Sequence, residues 1–430
     1  MNGAAPARIA IVGASLAGLS TARALRARGY AGDLVIIGDE PHRPYDRPPL
    51  SKDFLSFASG AEDIALESDE EELAARWVLG TAATGLVPRP GGGAVVQLAD
   101  GESVQADGVV VATGATARRS MAGAELPGVH VLRTLDDAAA LRADILAAAR
   151  DGGRVVVVGG GFIGSEVAAT ARQLGCDVTL LVAEGAPMEG PLGPFATAVT
   201  DLHTAHGVSV RTGILVRGVE RAGGGLAVLL EGGEPVTAAV VVLGLGAVPA
   251  TSWLAGSGVA LIANGAVECD PTGATNVPGV YAVGDCAAWW DTARGRHEPV
   301  GHWTAAKERA AVVAARLLGE DRLPRERAPY VWSDLYDCRI QLAGDRIFAD
   351  SDPIIEVGDV ADGSFAAVYH RDGAPVAVVG FGQVRHVTAV RKRLVLPASI
   401  ITPSLSPAPS PARSPAPAPA IVHRTEGVVS

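Results

Sequence analysis

Two stretches of this chain repeat one pattern: an apolar strand, a glycine-rich turn, a helix and a second apolar strand. The first runs Ile9-Ala-Ile-Val-Gly13-Ala-Ser-Leu-Ala-Gly18 into the Ala-, Leu- and Arg-rich stretch Leu19 to Arg28, which Gly29 ends, and then Leu34-Val-Ile-Ile-Gly38. The second runs Arg154-Val-Val-Val-Val-Gly159-Gly-Gly-Phe-Ile-Gly164 into a helix predicted from about Ser165 to Leu174, then Gly175 and the strand Val178 to Val182. Each copy is a βαβ unit. Strands that are apolar at every position suit a parallel sheet buried on both faces, so the chain reads as α/β.

The glycines carry chemistry as well as shape. In such a turn the first permits the tight bend, the second lets backbone N–H groups approach a pyrophosphate, and the third lets the helix pack close to the strand. Gly159, Gly161 and Gly164, with Phe162 and Ile163 between them, meet this pattern fully. The first copy keeps Gly13 and Gly18, but Ser15 stands at the middle position, where a hydroxymethyl group crowds the phosphates. The strand after it ends in Asp39-Glu40, either of which can accept from a ribose hydroxyl. Two turns of this kind imply two nucleotides, and the usual pair is FAD and NAD(P).

Other strand-plus-turn pieces run into glycine where the chain must bend beside something: Val109 to Gly114, Val240 to Gly246, and Val280 to Gly284 followed by Asp285. From about Pro329 to Leu396, alternating runs such as Phe365 to Tyr369 and Val376 to Gly380 read as a small separate α+β domain. Between 397 and 420, 8 of 24 residues are Pro, 6 are Ala and 5 are Ser. A segment of that composition cannot bury a core and is expected to be extended or disordered.

With 36 basic and 47 acidic residues the formal charge is −11. That excludes nucleic acid as the main partner, because phosphate binding relies on a basic surface. The longest apolar run, Ala238 to Val248, is short of the roughly 18–20 residues of a membrane span. The N-terminus opens directly on a strand, without a secretory leader pattern. The four cysteines, at 176, 269, 286 and 338, show no CxxC spacing. Neither a zinc ribbon nor a dithiol motif is present, no metal is expected, and a reducing cytoplasm is.

The run Gly38-Asp-Glu-Pro-His-Arg-Pro-Tyr-Asp-Arg47-Pro-Pro-Leu-Ser-Lys52 resembles the flavin-side segment of FAD-dependent ferredoxin reductases. These serve ring-hydroxylating dioxygenases and bacterial P450 systems. The resemblance continues through Ala112-Thr113-Gly114, His130 to Ala138, Gly159 to Ala168, Pro278 to Ala287, His302-Trp-Thr304 and Tyr330 to Asp334, covering about residues 8 to 390.

It implies two Rossmann-like domains in the glutathione-reductase-like arrangement plus a small C-terminal α+β domain. The expected limits are an FAD domain from 1–117 and 246–328, an NAD domain at 118–245, a C-terminal domain at 329–396 and a tail at 397–430. It also implies residues. Ser15, Leu16, Ala17 and Asp39 look like adenosine-side FAD contacts, with Glu40, Arg47 and the Ala112-Thr113-Gly114 turn beside them. Ala83 is similar to a residue whose backbone meets the adenine region. Arg133 corresponds to an FAD-contacting arginine, Gly284 and Asp285 to the turn that binds the ribityl chain, and Trp303 to a backbone contact with the isoalloxazine. Gly246 and Trp332 fall on the nicotinamide side.

Lys52 resembles the lysine near the flavin's reactive edge, where its charge stabilises a reduced, anionic ring. A lysine in a low-dielectric pocket needs a partner. The resemblance makes that partner Glu166, so a Lys52–Glu166 ion pair bridging the FAD and NAD segments is expected. Val182 stands where the second strand's acid is usual, with Glu184 two residues on. An acid there disfavours a 2′-phosphate, so NADH is expected over NADPH.

Disulfide reductases share this architecture, but they need a cysteine near the flavin and early in the chain. The first cysteine here is Cys176, and Cys286, in a VGDC turn, reads as packed beside the FAD. The reading is therefore a reductase passing electrons from NADH through FAD to an iron–sulfur ferredoxin, as a monomer or weak homodimer. The alternatives are a redox-sensing flavoprotein of the apoptosis-inducing-factor type, another NADH-dependent flavin oxidoreductase, or a compromised paralogue. A basic face for an acidic ferredoxin is expected from Arg309, Arg316, Arg322, Arg325 and Arg327.

Overall fold

The computed structural model describes residues 5–68, 71–299, 301–324 and 327–395. The expected tail at 397–430 and Arg325 lie outside them.

Strand β1 (Arg8–Val12) is exposed at Arg8 and buried from Ile9 on, with apolar side chains on both faces. It therefore takes a central place. It pairs in parallel with β2 (Asp33–Ile37) on one side and with Gly108–Val111 on the other. Val280–Ala282 and Arg76–Val78 complete a five-stranded sheet as its edges, both also parallel. The second copy builds the same object. Arg154–Val158 lies between Asp177–Val182 and Val240–Leu243, flanked by Ser209–Thr212 and Val129–His130, and every pairing is parallel. Helix α1 (Leu16–Ala27) packs on the later helix Trp303–Leu317. Val280–Ala282 and Trp303–Leu317 thus return a late part of the chain to the first half.

The chain leaves the first half through Ala115–Ala117 and comes back through Ala247–Pro249, two strands that pair antiparallel. The second half is thereby inserted into the first. Helix α2 (Leu135–Asp151) opens it with a capping box, Thr134 accepting from the Asp137 N–H while the Asp137 carboxylate accepts from Thr134, and it ends on left-handed Gly152. Both boxed interactions satisfy orphan helix donors, which fixes where the helix starts.

The C-terminal sheet is antiparallel, in the order Tyr330–Leu335, Cys338–Gly344, Ala374–Phe381, Ser364–Arg371, Ile354–Asp359. Alternation decides its two faces. Ala366 and Val368 turn to the helix Val384–Arg391 through Val387 and Val390. Phe365, Ala367 and Tyr369 turn the other way, onto Met188, Leu192, Phe195 and Val199 of the inserted half. The third unit is thus cemented to the second by apolar burial.

Two helices start earlier than the sequence predicts. The first begins at Leu16 rather than Leu19, and α3 (Phe162–Gln173) at Phe162 rather than Ser165. The last motif residues already belong to the first helical turn, because their N–H groups must point out of the turn for it to hold an anion.

Candidate functional site

The two glycine turns have the same internal geometry. Gly13 has φ +125°, and a side chain on it would strike the Ala112 carbonyl; Gly159 has φ +111° and would strike that of Gly244. Gly18 and Gly164 lie directly on the carbonyls of Gly13 and Gly159. Neither helix start is capped by a side chain: Ser15 and Gly161 are the N-cap residues, and neither supplies a capping bond. At Gly161 an added Cβ would meet nothing within 4 Å. Both turns therefore start their helices with uncapped backbone donors, the second facing open space and the first lining a cleft, as pyrophosphate binding requires.

A cleft of about 410 Å³ lies where the three units meet. Ser15, Leu16 and Ala17 form one wall, with Ala112, Thr113 and Gly114 beside them. Gly284, Asp285 and Trp303 form another, and Phe162, Ile163 and Trp332 close it from the inserted half and the C-terminal sheet.

Glu166 sits on the wall between. It is 3 % exposed and lies on the first turns of α3. Lys52 Nζ is 2.7 Å from its Oε2, so the expected ion pair is formed. Two further donors reach the same carboxylate: Ser51 Oγ at 2.5 Å from Oε2 and Ser333 Oγ at 2.6 Å from Oε1. One turn along the helix, the Thr170 hydroxyl donates to the Ser51 carbonyl at 2.7 Å. Residues i and i+4 of one helix face thus grip the loop that carries Lys52. Three charge-assisted contacts explain how a carboxylate is tolerated at this burial.

Arg47 and Arg133 are the other cations of the cleft. Arg47 pairs with Glu40 at 2.7 Å, donates to the Arg133 carbonyl, and has its Nε 3.4 Å from Ser15 Oγ. The Ser15 hydroxyl is turned to Arg47, which is how the first turn accommodates a side chain. Arg133 pairs with Asp285 at 2.9 Å, and its Nε is buried without a hydrogen-bond partner. An orphaned cationic donor beside uncapped helix N–H groups fits a diphosphate.

The Glu40 carboxylate takes Arg47 on one oxygen and the Tyr45 hydroxyl on the other, at 2.5 Å. Tyr45 also accepts the Leu135 N–H at 2.9 Å, and burial pushes its pKa up, so it stays a donor. Glu40 holds Arg47 in place, and Asp39 beside it is exposed. Ala83 opens the strand Ala83–Pro88 and does not line the cleft; it stands two residues past Thr81, whose N–H donates to Gly38 beside the end of β2. Glu184 and Gly246 are exposed beyond the ends of Asp177–Val182 and Val240–Leu243.

Trp303 begins the helix Trp303–Leu317, and its indole N–H donates to Asp46 Oδ1 at 2.7 Å. Its ring meets Trp332 edge-on at 6.0 Å, and Trp332 stacks on Tyr330 at 5.7 Å. His302, the residue before, also lines the cleft, and burial pushes its pKa down. The basic face expected after Trp303 does not form as drawn. Arg309 packs over the Trp289 ring at 4.6 Å and Arg316, seven residues on, is half-buried on the same helix face; Arg322 and Arg327 are exposed. That face is turned toward α1 and the first sheet. The exposed cation beside the cleft mouth is Lys307, 4.5 Å over the Trp303 ring.

None of the four cysteines lines the cleft. Cys286 is fully buried with its Sγ on the Val111 and Val283 carbonyls, and burial raises its thiol to about 11. Burial likewise raises Cys176 and Cys269, and takes Cys338 to about 11. A thiolate is the reactive form, and all four environments disfavour it. Among the described residues no cluster of His, Cys, Asp and Glu could hold a metal, and no helix is long and apolar enough to cross a membrane.

The sequence motifs missed Ser51, Ser333, Tyr45 and Asp46. Three of them lie inside the run from Gly38 to Lys52 and Ser333 beside Trp332, but nothing in their spacing shows which distant group each meets.

Comparison with known proteins identifies the family. Residues 7–310 match the family model described as pyridine nucleotide-disulphide oxidoreductase, and residues 330–405 the one described as reductase C-terminal. A ferredoxin–NAD(P)(+) reductase of a Sphingomonas species is 35% identical over 93% of this chain and 95% of its own. The ferredoxin–NAD(+) reductase component of an anthranilate 1,2-dioxygenase system from Burkholderia cepacia is 35% identical over 90% and 94%. Among solved structures, that of a covalent putidaredoxin reductase–putidaredoxin complex superposes with a TM-score of 0.80 at 31% identity, covering 90% of this chain and 93% of that one. With both nucleotide turns, the paired lysine and glutamate and the C-terminal sheet in place, this chain belongs to the pyridine nucleotide-disulphide oxidoreductase family, in its ferredoxin reductase branch.

Proposed function

We propose that this protein is an FAD-dependent ferredoxin reductase that draws electrons from NADH and delivers them singly to an iron–sulfur ferredoxin serving a P450 or ring-hydroxylating oxygenase. The observation that carries it is the Lys52–Glu166 pair, 2.7 Å long, set between two uncapped nucleotide turns in a cleft that no cysteine lines. Bound FAD supplies the exchange between two-electron and one-electron chemistry. The net reaction is balanced without a protein nucleophile: NADH and two oxidised ferredoxins give NAD⁺, two reduced ferredoxins and one proton.

The residues divide the work. The first turn (Gly13, Ser15, Leu16, Ala17, Gly18) and the cations Arg47 and Arg133 hold the flavin's diphosphate, with Asp39 and Ala83 at the adenosine end. Asp285, on the turn after Gly284, orients the ribityl chain, while Ala112 to Gly114 and the Trp303 backbone flank the ring. Lys52 sets positive charge at the ring's reactive edge. The second turn (Gly159, Gly161, Phe162, Ile163, Gly164) and Gly246 hold NADH beside Trp332. Glu184 reads its adenosine ribose and repels a 2′-phosphate. Four unpaired cysteines suit a reducing compartment, and we place the protein in the cytoplasm.

The test is the visible spectrum of the purified protein under anaerobic NADH, with NADPH in parallel, followed by addition of oxidised ferredoxin. Flavin absorbance that NADH bleaches more readily than NADPH and that ferredoxin restores is the expected result. A colourless protein, or one whose reduced flavin no ferredoxin reoxidises, refutes the proposal.

A further inference from the structure

We propose that Ser333, on the first strand of the C-terminal sheet, is a positioning residue for the Lys52–Glu166 pair. Through it the third unit sets the charge geometry of a cleft built by the other two.

The two carboxylate oxygens of Glu166 are served unequally. Oε2 takes both Lys52 Nζ at 2.7 Å and Ser51 Oγ at 2.5 Å, while Oε1 takes Ser333 Oγ at 2.6 Å. The terminal torsion of a glutamate is broad and roughly two-fold, so the carboxylate turns easily about it unless both oxygens are held. Ser333 holds the second one. Lys52 depends on that, because its ammonium sits on a flexible four-carbon stem and keeps 15% exposure. A carboxylate free to turn leaves the lysine free to swing toward water.

The strand itself shows that the serine is there for its hydroxyl. Ser333 and Leu335 are fully buried, while Trp332 before them and Asp334 between them are half-buried. Burying a hydroxyl at such a position is costly unless it is paired, and this one is paired with a residue 167 positions away in another unit. Its neighbour Asp334 is engaged elsewhere, with Arg339 at 2.6 Å. The charged groups on the strands beneath α3, Arg154 and Asp177, pair with each other at 2.7 Å at their far ends. Ser333 is therefore the link from the C-terminal sheet to this carboxylate.

The inference rests on the proposed function for its kinetic assay but not for the flavin potential. Flavin-loaded wild type, Ser333→Ala and Ser333→Thr are compared, each as it stands and again in a Glu166→Gln background. Three quantities are read: the flavin reduction rate at saturating NADH, the NADH dissociation constant, and the flavin midpoint potential from dye-coupled titration. Ser333→Ala lowers the rate about tenfold, the scale of one hydrogen bond to a charged group, leaves NADH binding within about twofold, and moves the potential negative. Ser333→Thr, which keeps the hydroxyl, stays within about twofold of wild type, and in the Glu166→Gln background Ser333→Ala changes the rate by less than about twofold.

An undiminished tenfold loss in the Glu166→Gln background overturns the inference, as does a Ser333→Ala protein with wild-type rate and potential. If Ser333→Ala does not retain flavin, Ser333→Cys, near-isosteric and a weak donor, must show an intermediate drop, and wild-type behaviour there overturns the idea equally. A wild-type flavin that NADH does not bleach counts against the proposed function alone, because the dye-coupled potentials still decide the role of Ser333.

Discussion

Replacing Glu166 by alanine separates what the ion pair does for stability from what it does for electron transfer. The substitution strands three donors at once: Lys52, 15% exposed, and the hydroxyls of Ser51 and Ser333. Breaking one side of a buried pair costs about 3–5 kcal/mol, and each orphaned hydroxyl about 1–3 kcal/mol. Lys52 recovers some hydration through its exposed fraction, and hydroxyls rotate to other acceptors. The net loss should be about 4–6 kcal/mol, or roughly 10 °C in the melting temperature of a chain this large.

The double variant Lys52→Met/Glu166→Leu removes both charges and keeps the volume. A buried pair exchanged for apolar side chains is often neutral, so its cost should fall to about 1–2 kcal/mol, left by the two hydroxyls. Flavin reduction should not return with it. The charge at the ring's edge is gone, and loss of one such preorganised group is worth about a hundredfold to a thousandfold in rate. Melting followed by circular dichroism, with stopped-flow bleaching by NADH on the same samples, measures both. A double variant as unstable as Glu166→Ala, or one that regains more than about a tenth of the wild-type rate, would falsify the reasoning.

Three other outcomes follow from particular residues. Gly161→Ala has open space for its Cβ, so it should melt like wild type while NADH binding weakens by about tenfold or more. Gly159→Ala, at φ +111° and against the Gly244 carbonyl, should fail to fold stably. His203 is fully buried, its Nδ1 3.0 Å from the Tyr336 hydroxyl, and burial, with His206 nearby, lowers its pKa to about 4. The unfolded chain therefore binds the proton more readily, so stability is full above about pH 6.5 and falls by up to about 3 kcal/mol as the pH drops to 4; a His203→Asn variant should flatten that fall in pH-dependent melts. Lys307→Glu, at the cleft mouth, should raise the KM for an acidic ferredoxin roughly three- to tenfold at low salt, with the difference closing at high ionic strength.

The sequence made the nucleotide turns legible because their chemistry is local. A glycine at φ +125° or +111°, a strand before it and a helix after it lie within a dozen residues, and each leaves a mark on composition. The Lys52–Glu166 pair is not local, and only a family resemblance joined its two members. The serines that hold Glu166 left no signal at all, since a buried serine looks like any other until the fold brings its acceptor across. The arginines failed for the converse reason. Basic residues along a helix are right in type, but the helix face turned Arg309 and Arg316 inward.

The two turns also differ in how far they are covered. Ala17 and Ile163 hold the same place in the two motifs, yet Ala17 is 7% exposed and Ile163 41%. Over the first turn lie Gly284, whose added Cβ would come within 3.0 Å of the Ala17 methyl, and Arg47, which ties the Ser15 hydroxyl down. Arg47 is itself held there by Glu40 and by the Arg133 carbonyl. At the second turn Gly161 and Ile163 stand exposed, with open space where a Gly161 side chain would lie. The serine at the middle of the first motif is therefore no defect. Under the proposed function, a turn that keeps FAD through every cycle gains from a side chain that locks the roof, and a turn that releases NAD⁺ each time needs the bare glycine.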